Sequence, residues 1–295
     1  MTDRRLFRQL VESPDILVLP GVFNGYSVRL VERFGFKAAA ITGAGISESV
    51  LGWADRGILT FDENLRACRA LADCCTIPLL ADADTGYGNV LNVHFVTRAF
   101  EQAGLAAISI EDQVWPKRCG HLSGKAVIPA QEMADKVKAA CDARRDGDFM
   151  IRARTDTAAT DGIPEVIDRL NLYGEAGADI VFADALLSVE DIATVVKNVN
   201  KPLAVNMGFG LIERGTTPLI TPHRLQELGI ATVSYARMLT SAALRGMMNA
   251  LEAFAPTITA DQPTQRPDLM VPFGEINDLM GLRTLEELEA KWTSE

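Results

Sequence analysis

Residues 111–121 bring several reactive side chains together in one short stretch. It reads Glu-Asp-Gln-Val-Trp-Pro-Lys-Arg-Cys-Gly-His and follows an apolar run, 106–110, typical of a buried strand. An acidic pair, a thiol and an imidazole could together supply acid, base and anion-binding chemistry. Because Cys119 lies between Arg118 and His121, its neighbours should favour the thiolate. The alternative interpretation is a solvated loop that contains an unreactive cysteine.

Carboxylates also close two neighbouring apolar runs. Asp82 and Asp84 end the run 78–84, and Glu111 ends the next one. Alternate residues of a strand point to the same face, so the two aspartates are expected side by side, with Glu111 on the adjacent strand. Without a lysine close in sequence these carboxylates would repel one another, and a hard divalent cation would resolve the repulsion. The sequence therefore predicts Mg²⁺ that retains several waters, or Mn²⁺; capping of the next helix is the alternative.

The alternation of elements along the chain determines where these groups can meet. Eight apolar runs typical of strands alternate with helical segments, at spacings of roughly thirty residues and without a hairpin signal. This pattern predicts an α/β fold, a (β/α)₈ TIM barrel over residues 1–254, with an open doubly wound sheet as the alternative. Residues 255–295 are expected to form a Pro- and Thr-rich linker and an amphipathic helical extension. Two local expectations are that the first strand ends at Pro20-Gly21 and that 43–45 is a glycine-rich loop.

Polar residues fall at the carboxyl ends of the predicted strands, which favours the barrel over the open sheet. They are Thr42, Asp82, Asp84, Glu111, Arg154, Asp184 and Asn206. In (β/α)₈ enzymes the active site is built on this face. Arg154 is suited to bind a carboxylate or a phosphoryl group through two hydrogen bonds. A structural pairing of Arg154 with Asp156 or Asp184 is the alternative.

Composition disfavours several classes of function. The chain has 295 residues, 48% of them hydrophobic, and a formal net charge of −10. Nucleic acid is not an expected partner, because phosphate contacts need clustered Lys and Arg. Five cysteines and three histidines fit no structural zinc pattern and favour a reducing, cytoplasmic compartment. We also expect no membrane span and no signal peptide, since no apolar run is long enough.

Three motifs together resemble the isocitrate lyase and phosphoenolpyruvate mutase superfamily. They are Asp82-Ala-Asp-Thr-Gly-Tyr-Gly88, Glu111-Asp-Gln113 and Lys117-Arg-Cys-Gly-His121, and the similarity runs from about residue 16 to the C-terminus. The last motif resembles the lyase branch, which includes 2-methylisocitrate lyase, dimethylmalate lyase and oxaloacetate hydrolase. The resemblance implies a Mg²⁺-dependent enzyme that cleaves a 2-hydroxy di- or tricarboxylate to a 2-oxo acid, such as pyruvate, and a carboxylate. A hydrolase or decarboxylase of oxaloacetate, and a metabolite-binding barrel without catalysis, are the alternatives.

The resemblance also implies roles for individual residues. The metal-binding residues would be Asp82, Asp84, Asp55 and Glu111, the last two directly or through water. Cys119 would be the general acid on a mobile loop, with Arg154 and Glu111 beside it in the catalytic set. The substrate-binding residues would be Thr42, Gly43, Ala44, Gly120, His121, Arg154, Asp184, Asn206 and Arg245. Members of the superfamily often form tetramers that exchange the last barrel helix, so a homotetramer is expected.

Three features depart from the superfamily pattern. Ala40 stands where an aromatic residue often precedes the Ser/Thr-Gly pair, and Asp184 stands where lyases usually carry Glu. The loop 206–218 is longer than the usual form. Because all three shape the substrate pocket, the resemblance indicates the class of substrate and leaves the particular substrate open.

Overall fold

Eight parallel strands close into a barrel in the computed structural model, which describes residues 3–118, 124–210 and 217–293. Each strand pairs with the next, and β8 pairs with β1. The strands are β1 (Leu17–Val22), β2 (Ala39–Ile41), β3 (Leu79–Asp82), β4 (Ala107–Glu111), β5 (Met150–Thr155), β6 (Ile180–Ala183), β7 (Leu203–Asn206) and β8 (Thr232–Tyr235). The predicted (β/α)₈ barrel is confirmed, and the open-sheet alternative was wrong.

Helices alternate with the strands and cover the outside of the barrel. They are α1 (Arg4–Glu12), α2 (Gly25–Arg33), α3 (Gly43–Ile46), α4 (Phe61–Asp73), α5 (Val90–Gln102), α6 (Ala130–Ala143), α7 (Gly162–Glu175), α8 (Val189–Asn198), α9 (Pro222–Glu227), α10 (Met238–Phe254), α11 (Phe273–Leu279) and α12 (Leu282–Trp292). Local sequence signals fix several of their ends. Thr60 and Glu63, for example, form a capping box at the start of α4.

Helix α1 packs across the amino-terminal end of the barrel. Its side chains Phe7 and Val11 are buried and belong to one apolar cluster with Leu19 of β1 and Ile180 of β6. This packing fills the lower part of the barrel interior with apolar side chains. Polar chemistry is therefore concentrated at the opposite, carboxyl-terminal end.

Strand β1 continues through Pro20 and Gly21, so the expectation that it ends there was wrong. It pairs with β8 as far as Pro20 and with β2 at Gly21 and Val22. A Cβ atom at Gly21 would lie 2.5 Å from the carbonyl oxygen of Ala236. Glycine is required here by the close approach of two backbones, and it does not mark a turn.

The glycine-rich stretch after β2 is helical, which corrects the predicted loop. Helix α3 spans Gly43–Ile46, and the hydroxyl of Thr42 accepts the N–H of Gly45 at 3.2 Å. A π-helical turn, Ser47–Leu51, follows directly. The N-cap hydroxyl satisfies one of the free N–H groups of the helix start, which offsets the poor helix propensity of glycine.

The C-terminal region contains helices, as predicted, but they are two rather than one. Gly281, with φ of +76°, separates α11 from α12. None of α10, α11 and α12 buries a side chain within the chain. The division of the chain at residue 254 stays a prediction. Within the described ranges, every helix is too short or too polar to cross a bilayer.

Candidate active site

The carboxyl ends of the strands surround a pocket of about 70 Å³. Much of the predicted site lines it: Thr42, Ala44, Asp55, Asp82, Glu111, Arg154, Asp184 and Asn206. Gly43 lies beside it and donates its N–H to Asp82 Oδ2 at 3.3 Å. The fold thus brings together residues that are spread over most of the chain.

Lys117 places an ammonium group among the carboxylates predicted to hold a metal. Its Nζ lies 2.7 Å from Asp55 Oδ1 and 2.8 Å from Asp84 Oδ1, and the side chain is almost fully buried. The expectation that no lysine compensates these acids was wrong, because the segment after Glu111 folds back over the site. Burial alone would lower the pKa of Lys117, but the surrounding carboxylates raise it well above its usual value. Lys117 therefore remains charged.

Asp84 lies beyond strand β3 rather than on it. The expectation that strand alternation places Asp84 beside Asp82 was therefore wrong. The strand ends at Asp82, and Asp84 has φ of +47°, in the left-handed region. Asp82 Oδ1 accepts the N–H of Asp84 at 3.1 Å and holds this conformation. Burial raises the pKa of Asp84 to about 7, although the charge of Lys117 opposes the rise.

Two buried carboxylate oxygens accept no hydrogen bond from the described residues. They are Asp84 Oδ1, despite the nearby ammonium group, and Glu111 Oε1. Burial raises the pKa of Glu111 well above its usual range, although the charge of Arg154 opposes the rise. In the described ranges, no three or more His, Cys, Asp or Glu side chains form a ready metal cage. Asp84 Oδ1 already lies 2.8 Å from Lys117 Nζ, whereas Glu111 Oε1 has no ion pair with the described residues. Glu111 Oε1 fits Mg²⁺ that keeps most of its waters, and the predicted metal ligands stay a prediction.

Arg154 is surrounded by carboxylates of its own chain. Its Nε and Nη2 donate to the two oxygens of Asp156 at 2.7 and 2.8 Å, and Nη2 lies 3.0 Å from Asp184 Oδ2. A longer contact of 3.3 Å reaches Glu111 Oε2. Lys125 adds a second cation, 2.8 Å from Asp156 Oδ1. The structural pairing considered for Arg154 is thus present, and a substrate anion would have to share this guanidinium.

Asp112 holds the end of β5 from the outside of the barrel. Its carboxylate accepts the hydroxyl of Thr155 at 2.7 Å and the N–H of Asp156 at 3.0 Å. Arg169 and Tyr173 of α7 donate to the same carboxylate at 3.1 and 2.8 Å. Asp112 was predicted only as part of the acidic pair and the Glu111-Asp-Gln113 motif, without a structural role of its own. Strand alternation was the available signal, because a residue next to an inward-facing glutamate must face the helices.

Several predicted residues are not brought to the pocket by the described structure. Cys119, Gly120 and His121 lie outside the described residues. Lys117 and Lys125, on either side of that segment, both contact site carboxylates. Arg245 lies on the exposed face of α10 and does not line the pocket of its own chain. The roles assigned to these residues stay predictions.

A closed barrel with acidic strand ends defines an enzyme of the (β/α)₈ class. Residues 7–255 match the family model described as phosphoenolpyruvate phosphomutase. The chain belongs to the phosphoenolpyruvate mutase/isocitrate lyase superfamily, and the resemblance found in its motifs is confirmed.

The comparisons include two lyases and two solved structures. The chain is 37% identical to 2,3-dimethylmalate lyase of Eubacterium barkeri, over 97% of both chains. It is 38% identical to 2-methylisocitrate lyase of Aeropyrum pernix, over 97% of this chain and 90% of the relative. Oxaloacetate acetylhydrolase in complex with 3,3-difluorooxalacetate has a TM-score of 0.89 and 30% identity, over 98% of this chain and 96% of that one. Phosphonopyruvate hydrolase in complex with oxalate and Mg²⁺ has a TM-score of 0.85 and 28% identity, over 99% of each chain.

Replacing Lys117 by Met should destabilise the EDTA-treated protein by about 3–5 kcal/mol, because it leaves the carboxylates of Asp55 and Asp84 buried without compensation. Adding Mg²⁺ should stabilise Lys117→Met more than wild type, since the cation replaces the missing charge. Thermal and urea unfolding with and without Mg²⁺ measure both effects. Arg169→Met, which removes the partner of Asp112, is the control: it should be destabilised without rescue. Equal Mg²⁺ effects in all three proteins would contradict a cation beside these aspartates.

Proposed function

We propose that the protein is a carbon–carbon lyase that cleaves a 2-hydroxy di- or tricarboxylate of the 2-methylisocitrate or dimethylmalate type. The products would be a 2-oxo acid, such as pyruvate, and a second carboxylate. The observation that carries the proposal is the pocket in which Glu111, whose Oε1 accepts no hydrogen bond from the described residues, lies beside Arg154, with Asp82 in the same lining. The 2-methylisocitrate and 2,3-dimethylmalate lyases to which the chain is similar support it. We also propose that the protein acts in the cytoplasm, because its cysteine content fits a reducing compartment.

Mg²⁺, or Mn²⁺, would be held by Asp82 and Asp84, with Asp55 and Glu111 assisting directly or through water. When bound, the cation would polarise the 2-oxygen of the substrate and offset the charge of its carboxylate. The similar structure of phosphonopyruvate hydrolase with oxalate and Mg²⁺ supports this cofactor.

The chain's own residues would bind and orient the substrate around that position. The segment 42–44 meets the 2-oxo acid end, and Arg154 with Asn206 holds a carboxylate. Asn206 is positioned for this by its hydrogen bond to Asp184 Oδ1, at 3.3 Å. Gly120 and His121 would bind the remaining carboxylate from the loop. Such positioning contributes to rate because the reacting bond is already aligned.

The bond cleavage requires a base and an acid at opposite ends of the breaking bond. A base removes the proton of the 2-hydroxyl, the oxygen forms a carbonyl, and the electrons of the carbon–carbon bond pass to the departing fragment. That fragment is an enolate-like dianion. Its negative charge would raise the pKa of Cys119 against the opposite effect of Arg118 and His121, so that the thiol form donates a proton to the carbon of the fragment. Closure of the loop would exclude water, which would otherwise compete as a proton donor.

Hydrolysis of oxaloacetate is a second candidate, favoured by one observation. The oxaloacetate acetylhydrolase structure is similar over nearly the whole chain. The two reactions differ in their products, so one experiment separates them.

Incubation with 2-methylisocitrate, 2,3-dimethylmalate and oxaloacetate, each with Mg²⁺, should release a 2-oxo acid from one of the first two. The release should stop with EDTA and return when Mg²⁺ is added in excess. Coupled assay of pyruvate and chromatography of the acids provide the readout. Production of oxalate and acetate from oxaloacetate would favour the hydrolase. Absence of turnover on all three would contradict both reactions and favour a binding protein.

Cys119→Ser should lower kcat by about 10²–10⁴-fold, because a hydroxyl at the same place is a much weaker acid. KM should change little, since ground-state contacts are retained. Steady-state kinetics on the substrate found above measures both values. Cys74→Ser, a free cysteine at the end of α4, is the matched control and should behave like wild type. A normal kcat for Cys119→Ser would show that the thiol only packs in the loop.

We further propose a homotetramer in which copies exchange α10, with residues 1–254 as the catalytic barrel and 255–295 as its extension. The support is an exposed apolar stripe on α10, a helix that has no fully buried residue and packs on its own barrel through the partly buried Met238 and Leu239 at its start. The stripe consists of Leu244, Met247, Leu251 and Phe254. In such an assembly Arg245 would reach the pocket of another copy.

Leu251→Asp should reduce the mass measured by light scattering, because a charge in a buried contact is costly. Asn249→Asp, an exposed polar position on the same helix, is the control and should leave the mass unchanged. A wild-type protein that is monomeric at micromolar concentration would refute the exchange.

A further inference from the structure

Arg152 is a buried cation that the function proposed above does not use. It lies on β5 two residues before Arg154, so both side chains point into the barrel. Its Nε donates to the hydroxyl of Ser109 on β4 at 3.0 Å, and its Nη1 to that of Ser234 on β8 at 3.4 Å. The guanidinium therefore extends across the barrel interior one layer below Arg154.

Arg152 differs from the other buried cations of the site in having no carboxylate partner among the described residues. Lys117, Lys125 and Arg154 each contact two or more carboxylates. The two contacts of Arg152 are neutral hydroxyls, and within the described structure its Nη2 donates no hydrogen bond. Burial lowers its pKa to about 10, although the charges of Asp82 and Asp184 oppose the fall, so it is still charged at neutral pH. A buried cation that no carboxylate contacts is costly unless an anion binds to it.

The side chains around Arg152 leave this charge accessible to the pocket. Ala40, Ser109 and Ser234 are small, and all three line the pocket together with Arg152. The ring of Phe182 lies beside both arginines, 4.9 Å from the guanidinium carbon of Arg152 and 5.1 Å from that of Arg154. The floor of the pocket is therefore a cation with free donors, whereas the mouth above it is rich in carboxylates.

We propose that Arg152 binds an anionic group at the floor of the pocket, so that the substrate fragment held deepest in the barrel ends in a carboxylate. The inference rests on the proposed function and narrows it: the fragment held deepest would be a 2-oxo acid with a second carboxylate, in preference to pyruvate. A fragment ending in a methyl group would leave the guanidinium desolvated and unpaired. Sites with such polar groups discriminate strongly against ligands that lack the matching group.

Ketomalonate and pyruvate test this directly, since they differ only by a carboxylate in place of a methyl group. With Mg²⁺ present, wild type should bind ketomalonate at least about tenfold more tightly than pyruvate, and Arg152→Met should lose about 10- to 100-fold in ketomalonate affinity alone. Calorimetry or ligand-dependent thermal shift provides the affinities. Lys136→Met is the control: it removes a buried lysine bonded to the carbonyl of Thr85, outside the pocket lining. Lys136→Met should still bind ketomalonate more tightly than pyruvate.

The melting temperature without ligand separates ligand binding from a structural role. If Arg152 serves ligand binding, removing this buried cation, which no carboxylate contacts, should leave the melting temperature unchanged or raise it. If Arg152 instead holds β4, β5 and β8 together, its removal should lower the melting temperature. Arg152→Gln, which can still bond the serines without a charge, serves if Arg152→Met does not fold. Equal affinities for the two acids in wild type, or an unchanged preference in both variants, would overturn the inference. If the protein turned over none of the tested substrates but still preferred ketomalonate to pyruvate, the proposed lyase function would be rejected and the anion-binding role of Arg152 would stand.

Discussion

Charge compensation between buried groups is the constraint on which the rest of this site depends. Carboxylates from β3, β4, β5 and β6 meet at the mouth of the barrel, where little water can stabilise them. Arg154 and Lys117 lie within hydrogen-bonding distance of them, and the network reaches Lys125. Lys117 is the first residue of the cysteine motif, and Lys125 follows the motif by four residues. The interaction that makes the acids tolerable therefore also attaches that motif to the site.

The same principle operates on the outer side of the barrel wall. Glu111 faces the pocket, and the adjacent Asp112 faces α7, where Arg169 and Tyr173 bond it. One dipeptide at a strand end thus serves chemistry on one side and structural support on the other. The rigid positioning of β5 comes from helix side chains that no substrate would touch.

The sequence predicted the parts of the molecule that depend on short-range patterns. Apolar runs and their spacing indicated the barrel, and polar strand ends indicated the site face, because strand direction and alternation are local properties. The pairing of Lys117 with Asp55 could not be predicted in this way, since it depends on the path of a loop across the barrel mouth. Asp84 was placed on a strand because its left-handed conformation has no local signal. Arg152 did have a local signal, because it lies two residues before Arg154 and so points to the same face of β5. It was not predicted as a site residue because only the residues at the strand ends were considered.

Helix α1 determines by which end of the barrel molecules can enter and leave. Phe7 and Val11 pack against Leu19 and Ile180 and close the amino-terminal end of the barrel. Anything that enters from the mouth must leave by the same opening. In the proposed cleavage, the piece nearer the mouth would leave first, and the deeper piece would follow it. The apolar side chains that close the lower end, far from the reacting bond, would then determine the order of product release.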